Sequence, residues 1–360
     1  HRRRYAQSGR VILAGKEWKR MKQAIVTRPH NIDFREVEVP DIADDEMLVQ
    51  IKRIGVCGSD VHVYHGKHPL VEYPVIQGHE VSGQVEKVGA KVSGFKPGDK
   101  VTVEPQVSCG KCYACTHGMP NVCANLKVIG FQTPGTAADY FALPERQAVR
   151  LPDSMSFEKG AFIEPVSVAV GAVRRGGPVK DKQVLVFGAG PIGILTAQVA
   201  RAEGASKVVM VDLDDYRLGK ARECGLTQTI NSKTQSLADE VSNAFAGNGP
   251  DISFECVGAE ASMADAVVQT NQGGTIVIVG VFPGRIPIDV NLVQEKLQRL
   301  VGSARYLVDD YRKSIELVES EALQLDPMIT HRLDFAEFEE AYRLIENPNE
   351  GTLKIMVSVT

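Results

Sequence analysis

The chain has 360 residues, a formal net charge of −4, 43% apolar and 24% charged residues. At about 150 residues per domain this is the length of two domains, each able to bury its own core, and the composition excludes a disordered or fibrous chain. The small net charge excludes the basic surface that non-specific nucleic-acid binding needs. The longest apolar stretch, 184–200, is too short to span a bilayer and is interrupted by three glycines, Pro191 and Gln198. Seven cysteines, four of them in one short segment, suit a metal site in a reducing, cytoplasmic setting better than a disulfide scaffold.

Residues 1–20 begin at His1, carry Arg2, Arg3 and Arg4, and show no periodic pattern. No apolar core follows the basic run, so a secretory signal is a poor reading. The segment reads as a tag remnant or upstream read-through, with Met21 as the natural start. Short strands follow at 22–27, 34–39 and 47–56, then at 81–88, 100–103 and 140–143, with a turn cluster at 94–99. Up to about Leu151 this predicts an all-β, barrel-like unit. The rhythm then changes to a helix at 155–171 and a strand at 183–187. A helix at 194–203, a strand at 207–211, a helix at 217–224 and strands at 252–256 and 275–279 come next. Such alternation predicts a doubly wound parallel sheet. The tail from 326 ends in an extended segment, 353–359, and no internal repeat is present.

The apolar strand 183–187 runs straight into Gly188-Ala189-Gly190-Pro191-Ile192-Gly193, a G-x-G-x-x-G loop opening a helix. The first glycine permits the tight turn, the second lets a pyrophosphate approach, and the third lets helix and strand pack closely. Asp212 ends the next strand, where an acid accepts from the adenine-ribose 2′-hydroxyl and repels a 2′-phosphate. This favours NAD over NADP. Asp212 as a simple helix cap is the alternative, and Arg217 suits either adenine stacking or a 2′-phosphate.

Cys109, Cys112, Cys115 and Cys123 offer four thiolates in one loop, with Gly110 and Gly118 letting it fold back. Four sulfurs at this spacing match a closed, structural zinc site; an iron–sulfur centre or a disulfide pair are the alternatives. Cys57, in Cys57-Gly58-Ser59-Asp60-Val61-His62, and the pair His79-Glu80 after Gly78 make a second, dispersed group. A thiolate, an imidazole and a carboxylate suit zinc and leave a position open for water or substrate. Two zinc ions per chain are therefore expected.

With these motifs, Ile163-Glu164-Pro165 and Arg305-Tyr306, the chain resembles the zinc-dependent medium-chain dehydrogenases, most of all their polyol branch, over 21–360. The resemblance implies a GroES-like β-barrel catalytic domain, 21–170, to which 311–360 returns, around a Rossmann NAD-binding domain, 171–310. It implies that Cys57, His79 and Glu80 hold a catalytic zinc, with Glu164 as an exchanging ligand or an acid beside it. Arg305 and Tyr306 fall where the branch contacts polyol hydroxyls. Zinc would act as a Lewis acid on the substrate oxygen. Ser59 would accept the hydroxyl proton and pass it through the nicotinamide ribose to His62. Sorbitol enzymes often carry tyrosine directly after that histidine, whereas this chain has Val63 and then Tyr64. The expected activity is NAD-linked oxidation of a secondary alcohol in a polyol or sugar-derived substrate by a homo-oligomer, dimer or tetramer, with no nucleic-acid or membrane partner. Alternatives are a sugar-acid (galactonate or idonate), L-threonine or butanediol dehydrogenase, or a non-catalytic NAD-binding regulator.

Overall fold

The computed structural model describes residues 20–347 and 350–359; apart from Arg20, the expected leader lies outside them. The six strands of one sheet are all parallel, in the spatial order Thr229–Asn231, Lys207–Asp212, Gln183–Phe187, Ile252–Glu255, Thr275–Ile278 and Arg299–Gly302. The strand Gln183–Phe187 shows why such strands are apolar throughout. Val184 and Val186 pack on one face, against Ile194 and Val173, while Leu185 and Phe187 pack on the other, against Val241 and Met263. Both faces are covered, so no polar alternation survives. The chain order reverses between Gln183–Phe187 and its neighbour Ile252–Glu255, which opens a crevice at the carboxyl ends of the strands.

The other large sheet is mainly antiparallel. Its path runs through Ile329–Asp334, Lys354–Ser358, Glu46–Val56, Glu80–Val88, Lys100–Val103 and Ala148–Arg150, and Tyr140–Pro144 pairs with Glu46–Val56. Two of these strands, Ile329–Asp334 and Lys354–Ser358, come from the C-terminal tail. Val49, Ile51, Ile54, Val81, Val101, Leu143 and Val357 fill its core.

Several local expectations need correction. The helix expected at 155–171 is two helices, Phe157–Ala161 and Ile163–Gly176. Pro165 has no N–H to continue the first helix, so it is tolerated only in the first turn of the second. Ser156 caps the first helix, its hydroxyl accepting from the Lys159 amide at 3.2 Å. The next helix starts at Pro191 rather than at 194, because proline is preset for a first helical position. Helices Glu260–Gln269, Val308–Glu319 and Phe338–Glu346 were not anticipated. Among the described residues no helix is long and apolar enough to cross a membrane.

Candidate active site between the two sheets

Cys57 leaves the strand Glu46–Val56 and caps the helix Gly58–Tyr64. Its backbone N–H donates to Asp60 Oδ2 at 3.1 Å, which fixes the turn. Glu80 opens the neighbouring antiparallel strand, in register with Gly55, and His79 directly precedes it. Sheet register therefore brings the three together: Cys57, His79 and Glu80 each offer a ligand atom within 4.8 Å of the others. The Cys57 sulfur accepts from the Ser59 hydroxyl at 3.2 Å.

Lys354, Asp60 and Gln77 hold this group in place, and Gly55 makes room for it. Lys354, buried on the returning strand, donates to both Glu80 oxygens at 2.8 and 2.7 Å. Asp60 lies 3.3 Å from His79 Nδ1, and Gln77 donates to Asp60 at 3.3 Å. Gly55 has no room for a side chain, since a Cβ there would lie 2.3 Å from Glu80 Oε2. The only sequence signal for Lys354 is a lysine inside an otherwise apolar strand.

The electrostatics follow from burial. Burial would lower the His79 pKa, but the Asp60 carboxylate and the Cys57 sulfur outweigh it and hold the value well above ordinary. Burial pushes the Glu164 carboxyl up to about 7, the Glu80 charge adding to this while His79, Tyr306 and Lys354 oppose it. A soft thiolate, an imidazole and buried carboxylates fit zinc.

Glu164 stands on the helix Ile163–Gly176 and accepts from the Tyr306 hydroxyl at 2.6 Å. Tyr306 follows the last strand of the parallel sheet and packs in one core with that sheet and the helix Ile163–Gly176, while the His79, Glu80 and Lys354 charges act on Glu164 from the other side. Arg174 pins the segment by donating to both Asp310 oxygens at 2.8 and 3.0 Å. Arg305 lies elsewhere. It is exposed, with φ at +56°, and its guanidinium donates to the Asn121 carbonyl at 3.1 Å. Asn121 returns a bond to the Ala304 carbonyl at 2.8 Å, so this stretch clamps the four-cysteine lobe.

In that lobe the four sulfurs lie within 4.8 Å of one another, with Cys112 3.5 Å from Cys115 and 3.8 Å from Cys123. Sulfurs about 2.3 Å from a tetrahedral zinc would stand roughly 3.8 Å apart, whereas a disulfide needs about 2.05 Å. The lobe therefore fits zinc, and all seven cysteines are unpaired. The Cys109 amide and the Asn125 amide both donate to the Cys123 sulfur at 3.3 Å, which suits a thiolate.

The glycine loop sits at the switch point of the parallel sheet. Gly188 has φ at +96°, and a Cβ on Gly193 would lie 1.8 Å from the Gly188 carbonyl oxygen. Over Gly190, the N-cap of the helix Pro191–Ala202, the nearest atom to a would-be Cβ is Arg217 Nη1 at 4.0 Å. The open space over Gly190 and the first turn of this helix fit a pyrophosphate. The Asp212 carboxylate accepts from the Ala189 amide at 2.6 Å, which holds it at the loop. His62 is exposed and Ser59 half-buried on the short helix. Three residues apart, they share a face.

Comparison with known proteins shows the family. Residues 43–153 match the alcohol dehydrogenase GroES-like domain, and residues 191–320 match the zinc-binding dehydrogenase family. Sorbitol dehydrogenase 1 of Saccharomyces cerevisiae is 37% identical over 332 residues, covering 88% of this chain and 92% of that protein. L-threonine 3-dehydrogenase of Pyrococcus horikoshii is 34% identical over 345 residues, covering 94% of this chain and 99% of its own length. A zinc-binding dehydrogenase structure from Sinorhizobium meliloti bound to NADP superposes with a TM-score of 0.89 at 31% identity, covering 95% of this chain and 100% of that one. The chain belongs to the zinc-dependent medium-chain dehydrogenase family, on the polyol branch that includes the sorbitol dehydrogenases.

Proposed function

We propose that the protein oxidises a secondary alcohol in a polyol or sugar-derived substrate, with NAD as hydride acceptor and zinc at the Cys57 group. One observation carries the reading above the others: Cys57, His79 and Glu80 converge within 4.8 Å of one another, and Glu164, on the helix packed against the parallel sheet, feels the His79 and Glu80 charges. Cys57, His79 and Glu80 would hold the zinc, with Glu164 as an exchanging ligand or an acid beside it. Zinc supplies Lewis acidity, which lowers the pKa of the reacting hydroxyl. Ser59 is the proton acceptor in this reading, and His62, one helical turn on and exposed, returns the proton to solvent.

Gly188, Gly190 and Gly193 would cradle the pyrophosphate, with Pro191 and Ile192 opening the helix. Asp212 would take the ribose hydroxyls and exclude a 2′-phosphate, and Arg217 would lie along the adenine. The hydride step itself belongs to the cofactor. Arg305 and Tyr306 are the substrate contacts of the proposal. Tyr306 acts at Glu164, and Arg305, whose guanidinium bonds the Asn121 carbonyl, stands as a substrate contact on the family resemblance alone. Cys109, Cys112, Cys115 and Cys123 hold the structural zinc. A cytoplasmic homo-oligomer, dimer or tetramer, completes the reading, and light scattering tests the assembly.

A second reading is L-threonine oxidation, favoured by the relative of that name, which matches over nearly the whole chain. The test is NAD reduction across sorbitol, xylitol, galactitol, L-threonine, 2,3-butanediol and L-galactonate. Highest kcat/KM on a polyol supports the proposal, and highest kcat/KM on L-threonine replaces it with the second reading.

A further inference from the structure

Two histidines and a glutamate gather at the opposite end of the short helix that Cys57 caps. His30 is in the turn between the strands Met21–Arg28 and Asn31–Val37. His65 is the C-cap of the helix Gly58–Tyr64, and Glu346 ends the helix Phe338–Glu346. Each offers one ligand atom within 4.8 Å of the other two, although 281 residues separate His65 from Glu346. We propose that His30, His65 and Glu346 form a third metal site, which takes a divalent transition cation such as zinc from solvent.

The backbone presets the arrangement. The His30 N–H donates to the Tyr64 carbonyl at 2.8 Å, tying the turn to the end of the helix. The His30 backbone is left-handed, with φ at +60°, a conformation that histidine and asparagine tolerate better than most residues. The two imidazole rings stand 5.0 Å apart, inclined at 31°, and His65 Nε2 faces Glu346 Oε1 directly. The edge of His30 packs on the buried Tyr64 ring at 5.2 Å, which limits its rotation. Two imidazoles and a carboxylate are a borderline donor set that selects zinc, copper or nickel over calcium and magnesium.

His30 and Glu346 are exposed and His65 is half-buried, so an ion can enter and leave. Lys67 and His62 also face His65 and weigh against a cation. The ion is therefore held less tightly than at the two cysteine-containing sites. Once bound, it staples three segments together at the end of the helix that carries Ser59 and His62. This inference does not depend on the reading of the Cys57 group.

The test uses holoenzyme carrying its two tightly held zinc ions, dialysed against metal-free buffer and titrated with zinc chloride in a calorimeter. Wild type should bind one further ion per chain. His30→Asn, which keeps the left-handed turn, and Glu346→Gln should each weaken that event about tenfold or more, while His331→Asn should leave it unchanged. The variants should keep two tight zinc ions, which shows that they are folded. Added zinc should raise the unfolding temperature of wild type but not of His30→Asn. Absence of a third binding event in wild type, or equal binding by wild type, His30→Asn and Glu346→Gln, overturns the proposal.

Discussion

Replacing Gly55 by alanine should loosen one metal site and spare the other. A Cβ at position 55 would sit 2.3 Å from Glu80 Oε2 and 3.2 Å from Glu80 Cβ. The carboxylate must then retreat by roughly 1 Å to regain ordinary van der Waals separation. Metal–ligand distances hold to within about 0.2 Å, so a displacement of that size takes Glu80 out of reach of an ion held by Cys57 and His79. It also pulls Glu80 from the Lys354 ammonium, which now bonds both of its oxygens. Disturbing such partners typically costs 10–100-fold in metal affinity. The backbone is not under the same threat, because the nearest atoms are the end of a side chain. Gly55→Ala should therefore remain folded and release the Cys57-site zinc to a chromophoric chelator about 10–100-fold more readily, with the four-cysteine zinc unaffected. Equal retention of both ions by Gly55→Ala and wild type would refute the argument that Glu80 is confined by the bare backbone of Gly55.

Lys354→Met should destabilise the protein by about 3–5 kcal/mol, since it strands a buried carboxylate; an unchanged denaturation midpoint in zinc-free protein would contradict this. Asp212→Ala should narrow the kcat/KM gap between NAD and NADP, because a repulsive charge and an acceptor both disappear. A wild type that already uses both cofactors equally would sink the assignment. Arg305→Ala should lower kcat/KM about tenfold or more on a polyol and far less on a short monohydric alcohol. Equal losses on both would restrict Arg305 to its contact with Asn121.

What the sequence made legible is what lies close together along the chain. The glycine loop and the four cysteines each occupy a short stretch of chain, so their spacing narrows the chemistry to a few choices. The dispersed group was readable only as residue types, because the register between Gly55 and Glu80 is a property of the sheet. Lys354 and Glu80 are 274 residues apart and Tyr306 and Glu164 are 142 apart, so neither contact leaves a local trace. Asp60 lies within the Cys57–His62 motif, yet its dual use, toward the Cys57 amide and His79, depends on the helix Gly58–Tyr64. The helix break before Pro165 was readable from proline chemistry and was passed over. Arg305 shows the opposite limit: a motif position carried an expected role, while the fold gives its guanidinium to the neighbouring lobe.

The most direct test is to follow NADH formation on xylitol and sorbitol while a mild chelator removes zinc from the protein with its exposed third site left empty. Activity should disappear as the first of the two remaining zinc ions leaves, with the far-UV spectrum unchanged, and should return when one equivalent of zinc is restored. Full activity in protein shown by metal analysis to lack zinc at the Cys57 group would contradict a zinc-dependent polyol oxidation at this site.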